Sequence, residues 1–276
     1  EVDQNDPTQN VVLFDRTAQR VYLAQAGLIA APGGMALPNH LTAMRWVPGE
    51  RELKDGSDEL KVRFESPAVG GATLSKTYTF KRNSYVVGVE LEVTNVSAAP
   101  IAPQVYLQLV RDGNAPVGES SFYFTFTGPA IYDDADKFKK LDFKAIEKRG
   151  ANEKPDHATS ADNGWVAMVQ HYFTSAWLLP EKVQREFFTR KVDTNLYAVG
   201  MIVPLGTIDA GAGKSFATTL FVGPQEENHL AELAPGLELV KDYGWFTILA
   251  KPLFWLLTQL YAVLGNWGWA IVALVV

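Results

Sequence analysis

Chemistry near neutral pH needs groups that can move a proton, hold a metal or attack an electrophile, and this 276-residue chain offers few of them. It has four histidines, His40, His157, His171 and His229, and no cysteine. The missing thiols exclude a disulfide framework, Cys-based zinc sites and a thiol nucleophile together. No two histidines stand at the H-x-x-x-H spacing that would place both imidazoles on one helix face for a metal. His40 follows Pro38-Asn39 in a loop signature and His157 lies in a polar stretch. His171 sits between apolar runs and His229 on a short predicted helix. Each reads as an ordinary surface or core histidine. A Ser–His–Asp triad can be assembled in any chain order, but no G-x-S-x-G elbow points to one. The densest acidic group, Asp133-Asp134 with Asp136, lacks calcium-loop spacing and reads as a turn at a strand end. The glycine-rich stretches do not precede helices, so no phosphate cradle is formed. No catalytic residue, metal or cofactor is expected.

The elements that would carry any site are strands. With 47% hydrophobic and 20% charged residues the chain has the composition of a folded globular protein. A net charge of −6 argues against a nucleic-acid partner, which would need a basic surface to neutralise phosphates. The local cluster Lys137, Lys139 and Lys140 reads as a solvated face. From Val11 to about Val222 the dominant signal is period-two alternation. Val87, Val89, Leu91 and Val93 alternate with Gly88, Glu90, Glu92 and Thr94, and Val105, Leu107 and Leu109 with Gln104, Tyr106 and Gln108. Phe122, Phe124 and Phe126 share another strand face. Turn signals such as Pro48-Gly49, Gly70-Gly71 and Gly211-Ala212-Gly213 punctuate these runs. Many short strands without helical period between them predict an all-β antiparallel sandwich over residues 1–222. The polar stretch 133–163 is expected to form a strand pair with a long exposed loop at 150–164.

The pattern changes after residue 222. Pro224 at a first helical position, followed by Glu226 and Glu227, predicts a helix over 225–234, closed by Pro235-Gly236 after about three turns. With its linker to residue 244 it forms a unit, 223–244, whose Glu226, Leu230 and Leu233 are expected to couple the sandwich to the C-terminal tail. That tail, from Trp245 onward, contains one formal charge, Lys251. Over 245–264 a narrow stripe of Lys251, Thr258 and Gln259 faces a wide apolar surface, as expected of a helix in the membrane interface plane. Tyr243, Trp245, Pro252, Phe254, Trp255, Trp267 and Trp269 are the expected interface residues, since amphipathic aromatics favour the headgroup layer. Packing of the same helix against the sandwich is the competing reading. Segment 265–276 ends in ten apolar or glycine residues, half of the roughly 20 a spanning helix needs, and is expected to be the truncated start of one.

Several stretches carry a family resemblance. Gly164-Trp165-Val166-Ala167-Met168-Val169-Gln170-His171-Tyr172-Phe173-Thr174-Ser175-Ala176-Trp177 is similar to the G-W-V-A-M-x-Q-x-Y-F-x-x-A-W stretch of the YidC family of bacterial membrane-protein insertases. Residues 77–95, with Thr79-Phe80-Lys81-Arg82, resemble the family's periplasmic domain as well. Most specific is the order Asp242-Tyr243-Gly244-Trp245, Pro252-Leu253-Phe254, then Gly265-Asn266-Trp267-Gly268. In the family this order marks the exit from the periplasmic domain, an interfacial helix and the start of the second transmembrane helix.

The resemblance implies a galactose-mutarotase-like β-supersandwich in the periplasm, followed by C-terminal helices leading into the bacterial inner membrane. It implies a chain that begins after the first transmembrane helix and the earliest strands, leaving an inner strand as a possible edge. The family's groove, with its functional arginine, would lie beyond Val276. Implied partners are the Sec translocon and its accessory subunits, nascent membrane proteins and the lipid bilayer. The role implied is accessory to insertion and folding of membrane proteins. A soluble carbohydrate-binding or mutarotase-like protein is the alternative; it would need a histidine and carboxylates on a concave sheet face, and only His171 is a candidate.

Overall fold

The computed structural model describes residues 8, 10–31, 33–116, 126–150, 153–241 and 247–275, with 247–251 as backbone only. Fifteen strands among these residues form two antiparallel sheets. The smaller sheet has the order β1 (Asp15–Arg16), β2 (Val21–Ile29), β7 (Gln104–Asp112), β14 (Leu196–Pro204), β13 (Arg185–Asp193) and β10 (Ser160–Ala161). The larger runs β3 (Arg45–Trp46), β4 (Glu59–Glu65), β5 (Ala72–Lys81), β6 (Val86–Asn95), β15 (Gly213–Pro224), β12 (Phe173–Leu178), β11 (Trp165–Val169), β8 (Gly128–Asp133) and β9 (Lys137–Lys140).

The alternation predicted from sequence sets the core between the sheets. Val89, Leu91 and Val93 from one sheet and Val105, Leu107 and Leu109 from the other are all buried there. Intervening residues of β6 such as Glu90 and Thr94 face solvent. Burial of each such aliphatic side chain contributes about 1.5–3 kcal/mol, which is what fixes the register. Phe122 and Phe124 lie outside the described residues. Phe126 packs against a second cluster on the other face of the larger sheet.

That second cluster explains why β8 and β11 are buried along their whole length. A strand covered on both faces loses its alternation, and Trp165-Val166-Ala167-Met168-Val169 reads accordingly.

The stretch 133–163 departs from the sequence reading. The β8–β9 hairpin ends at Lys140, and the chain then forms a short helix, α1 (Phe143–Lys148), capped by Asp142, whose carboxylate accepts from Lys144 N at 2.9 Å. Phe143 and Ile146 insert into the core and Tyr197 Oη donates to Glu147 at 2.8 Å. Six residues are too few to be helical on propensity alone, so tertiary burial decides. The segment expected as an exposed loop contains β10 and a buried His157, which sits against Thr189 of β13. The acidic group does form a strand-end turn: Asp133 accepts from the amides of Ala135 and Asp136, each at 2.9 Å.

Arg185 is among the described cations held out of solvent. Arg185 is fully buried and donates to the carbonyls of Val183, Gly164, Asp162 and Pro180 at 2.5–3.2 Å. It ties the residue before Trp165 to the β12–β13 turn.

Candidate membrane-contact site

The path from the sandwich to the tail starts at β15. Pro224 does not open a helix; it is the last residue of the strand, paired with Phe173 of β12. Gln225 stays extended because its amide donates to Tyr172 O at 2.9 Å and its side chain to the carbonyls of Gln170 and Phe173 at 2.7 and 3.2 Å. The helix, α2 (Glu227–Leu233), therefore begins later and spans two turns rather than three. Glu226 is its exposed N-cap, without a side-chain capping bond.

α2 lies on the outer face of the larger sheet. Leu230 is fully buried and Leu233 half-buried, while Phe221 and His229 meet ring to ring at 6.2 Å. Ala234 ends the helix and Gly236, at φ +74°, reverses the chain. A Cβ at this glycine would stand 2.3 Å from the Tyr132 ring, so close approach as well as the left-handed backbone demands glycine here. The Tyr132 ring stacks on Trp165 at 5.6 Å and 8°. Burial, then Asp134 nearby, pushes the Tyr132 phenol up from its ordinary range. The Trp165 indole N–H donates to Pro235 O at 2.9 Å. Residues 237–244, expected as a linker, begin with a 3₁₀ turn (Leu237–Val240) whose Leu237 and Val240 are fully buried. The sandwich thus extends structurally to about Lys241, because these side chains complete the cover over Trp165 and Tyr132.

Tyr243 and Trp245 lie outside the described residues. Beyond them run α3 (Thr247–Leu264) and α4 (Trp267–Val275), separated by Gly265 and Asn266. Asn266 caps α4, its side-chain oxygen accepting from Gly268 N at 2.8 Å and Trp269 N at 3.3 Å. The turn brings the helices together: Tyr261 stacks on Trp267 at 4.0 Å and Ala270 is fully buried. The other expected interface residues are exposed. Pro252 lies inside α3, Phe254 and Trp255 follow it, and Trp267 and Trp269 sit on α4. Trp255 is 63%, Trp269 67% and Val263 84% exposed, an apolar surface with few counterparts on soluble monomers. The Lys241 ammonium stands 4.9 Å from the Phe254 ring, touching the last sheet-covering segment to the tail. Thr258 turns its hydroxyl onto Phe254 O at 2.8 Å, hiding one polar group of the stripe within the helix. No described helix is long and apolar enough to cross a membrane.

The chemistry-bearing residues remain apart. Among the described residues no three His, Asp or Glu side chains group as metal ligands. His171 lies in the β11–β12 turn beside Tyr172, not on a sheet face, because β11 ends at Val169. His40 meets the smaller sheet through Tyr106 of β7. The buried His157 bonds Ala158 O and Thr189 Oγ1 through its two ring nitrogens. Nothing in their spacing marks these environments in the sequence.

Residues 1–256 match a family model described as the YidC periplasmic domain. The chain is 51% identical over 274 residues to a membrane protein insertase YidC from Janthinobacterium sp. (strain Marseille), covering 99% of this chain and 47% of the relative. A relative of the same name from Herminiimonas arsenicoxydans is 49% identical over 275 residues, with the same coverage. The chain spans about half the length of the curated relatives it matches. Among solved structures it is similar to the GH36 alpha-galactosidase AgaB from Geobacillus stearothermophilus, with a TM-score of 0.44 and 9% identity over 84% of this chain and 35% of that one. A galactose mutarotase related enzyme from Lactobacillus acidophilus gives 0.41 and 9% over 68% of this chain and 75% of that one. Likeness at this level carries nothing about chemistry.

Proposed function

The chain belongs to the YidC family, matching its periplasmic domain, and from that membership we propose that it is the accessory periplasmic part of an inner-membrane insertase, seated on the bilayer by its tail. The work of such a domain is physical rather than covalent. α3 and α4 lie at the membrane, with Pro252, Phe254, Trp255, Trp267 and Trp269, together with Tyr243 and Trp245, in the headgroup layer. α2 and the 3₁₀ turn act as the coupling piece. Leu230 and Leu233 grip the sheet, Glu226 marks the exposed start, and Lys241 meets Phe254. The sandwich is thereby held at a set height near the translocation site. Nascent membrane proteins are its clients, and the Sec translocon with its accessory subunits is the partner it is placed to meet.

The observation that carries this reading is a sheet-locked segment reaching Lys241, followed from Thr247 by a helix pair whose large apolar side chains are exposed. In the intact insertase, disruption of residues 225–255 is expected to impair growth more than deletion of the sandwich. A depletion strain complemented with each variant tests this; the reverse order of severity would remove the coupling role.

A further inference from the structure

The outward face of the smaller sheet carries an ordered polar network that the membrane role does not use. Gln25 of β2 pairs across the strands with Gln108 of β7, Gln108 with Gly200 of β14, and Gly200 with Phe188 of β13. Period two places all of them on the face opposite the core, together with Arg190 two residues beyond Phe188. Gln108 is only 2% exposed, yet both ends of its amide are used. Arginine can only donate, so the order of the relay is fixed. Arg190 Nη2 donates to Gln108 Oε1 at 3.0 Å, and Gln108 Nε2 donates to Gln25 Oε1 at 2.6 Å. What remains facing solvent is donors alone: the other N–H groups of Arg190 and the amide nitrogen of Gln25. Phe188 lies against bare backbone at Gly200, where a Cβ would stand 2.4 Å from its ring. The Arg190 guanidinium sits 4.9 Å from the Phe188 ring centroid.

Basic groups gather around this network, against two carboxylates on its face, Asp112 and Glu186. Lys76, 6% exposed, points inward from β5 beside Leu74 and reaches the carbonyl of Ala26 from the core side of the smaller sheet. Burial lowers it to about 8, with no carboxylate opposing that shift. His40 meets Tyr106 in the neighbouring row; burial first, then Lys76 and Arg190, hold it below its ordinary value. Asp112 on the same strand face has its carboxylate spent on the amides of Val21 and Asn114. Glu186 shares the face of β13, on the far side of Phe188 from Arg190. In a chain of net charge −6 this is an unusual concentration of donors.

We propose that this face recognises a carboxylate in an extended peptide segment, bound by Arg190 and the Gln25 amide, with a neighbouring apolar or aromatic residue laid on Phe188. Arg190 supplies the fork that matches a carboxylate, and the buried Gln108 holds that fork in place. The source of the peptide rests on the insertase reading. Lysine and arginine are retained in cytoplasmic loops of membrane proteins, so client segments delivered to the periplasm are poor in cations and their carboxylates are left unpaired.

The test uses the whole chain in mild detergent and a fluorescein-labelled Ser-Asp-Phe-Ser peptide, followed by anisotropy, with a Ser-Asn-Phe-Ser counterpart. Saturable binding is expected, weaker by about tenfold or more for the Asn peptide and for Arg190→Gln, since a charge-assisted bond is lost. Gln25→Ala is expected to weaken it less, and Arg190→Gln, which also takes the donor from the buried Gln108, to leave the far-ultraviolet circular dichroism spectrum and vesicle binding unchanged. Equal binding of the two peptides, unchanged binding by Arg190→Gln, or no saturation by about 1 mM would overturn the site. Loss of vesicle flotation in the unmodified chain would instead strike the membrane reading and leave the peptide result standing.

Discussion

Trp165 and Pro235 are joined by a 2.9 Å hydrogen bond from the indole N–H to the proline carbonyl, between a central strand of the larger sheet and the turn after α2. It lies within the apolar contact that Leu230, Leu237 and Val240 make with the sheet, where the path toward the tail leaves it. Trp165→Phe keeps an aromatic ring against Tyr132 but leaves that carbonyl without its donor. A loss of about 1–3 kcal/mol is expected by urea denaturation. Faster hydrogen exchange is expected at the amides of Leu237, Leu239 and Lys241, which close the 3₁₀ turn. Unchanged exchange there would show that the bond does not hold the segment.

Gly236→Ala forces a side chain into the Tyr132 ring at a left-handed backbone position. Strain and overpacking together should cost at least about 2 kcal/mol. Tyr132→Leu in the same chain removes part of the clash, so a double-mutant cycle should return a coupling above about 0.5 kcal/mol. Additive effects would mean that the backbone angle alone matters.

Arg185→Met leaves four partly buried backbone carbonyls without their donor. The expected cost is about 1–3 kcal/mol, the range for acceptors that lose their donor. Because Gly164 is among the four, the Trp165 fluorescence environment should shift before global unfolding. A cost near zero would mean that water replaces the guanidinium.

His157 gives the sandwich an acid limit. Burial holds its pKa below 6.5, offset in part by the Ala158 carbonyl and reinforced by the charges of Arg149 and Lys139. The folded state therefore keeps it neutral while the unfolded chain takes a proton below about pH 6.5. Its stabilising contribution is complete above that pH and is lost progressively as pH falls toward the folded pKa. His40, also lowered by burial, acts in the same direction. Urea midpoints at pH 7.5 and 5.5 should differ more for the parent chain than for His157→Gln. Equal differences would assign the acid sensitivity elsewhere.

Much of the fold is legible in the chain itself. Alternation in β6 and β7 marks strands with one buried face, and the unalternated Trp165–Val169 run signals a strand covered on both. Local pattern fails where distant contacts decide. Pro224 suits a helix start or a strand end equally, and only Gln225 bonding to Tyr172 settles the matter. α1 is too short to announce itself, and the burial of Leu237 and Val240 depends on Tyr132 and Trp165 far back in the chain. Gln25, Gln108 and Arg190 stand on three strands, so each alone resembles an ordinary solvated position.

Flotation of the chain with phospholipid vesicles, beside a version ending at Asp242, decides the membrane seat. The full chain is expected to rise with the vesicles and the shortened one to stay behind, because the exposed apolar side chains of α3 and α4 supply the attachment. If neither floats and the full chain remains a soluble monomer, the tail is folded onto protein rather than lipid, and the membrane seat is contradicted.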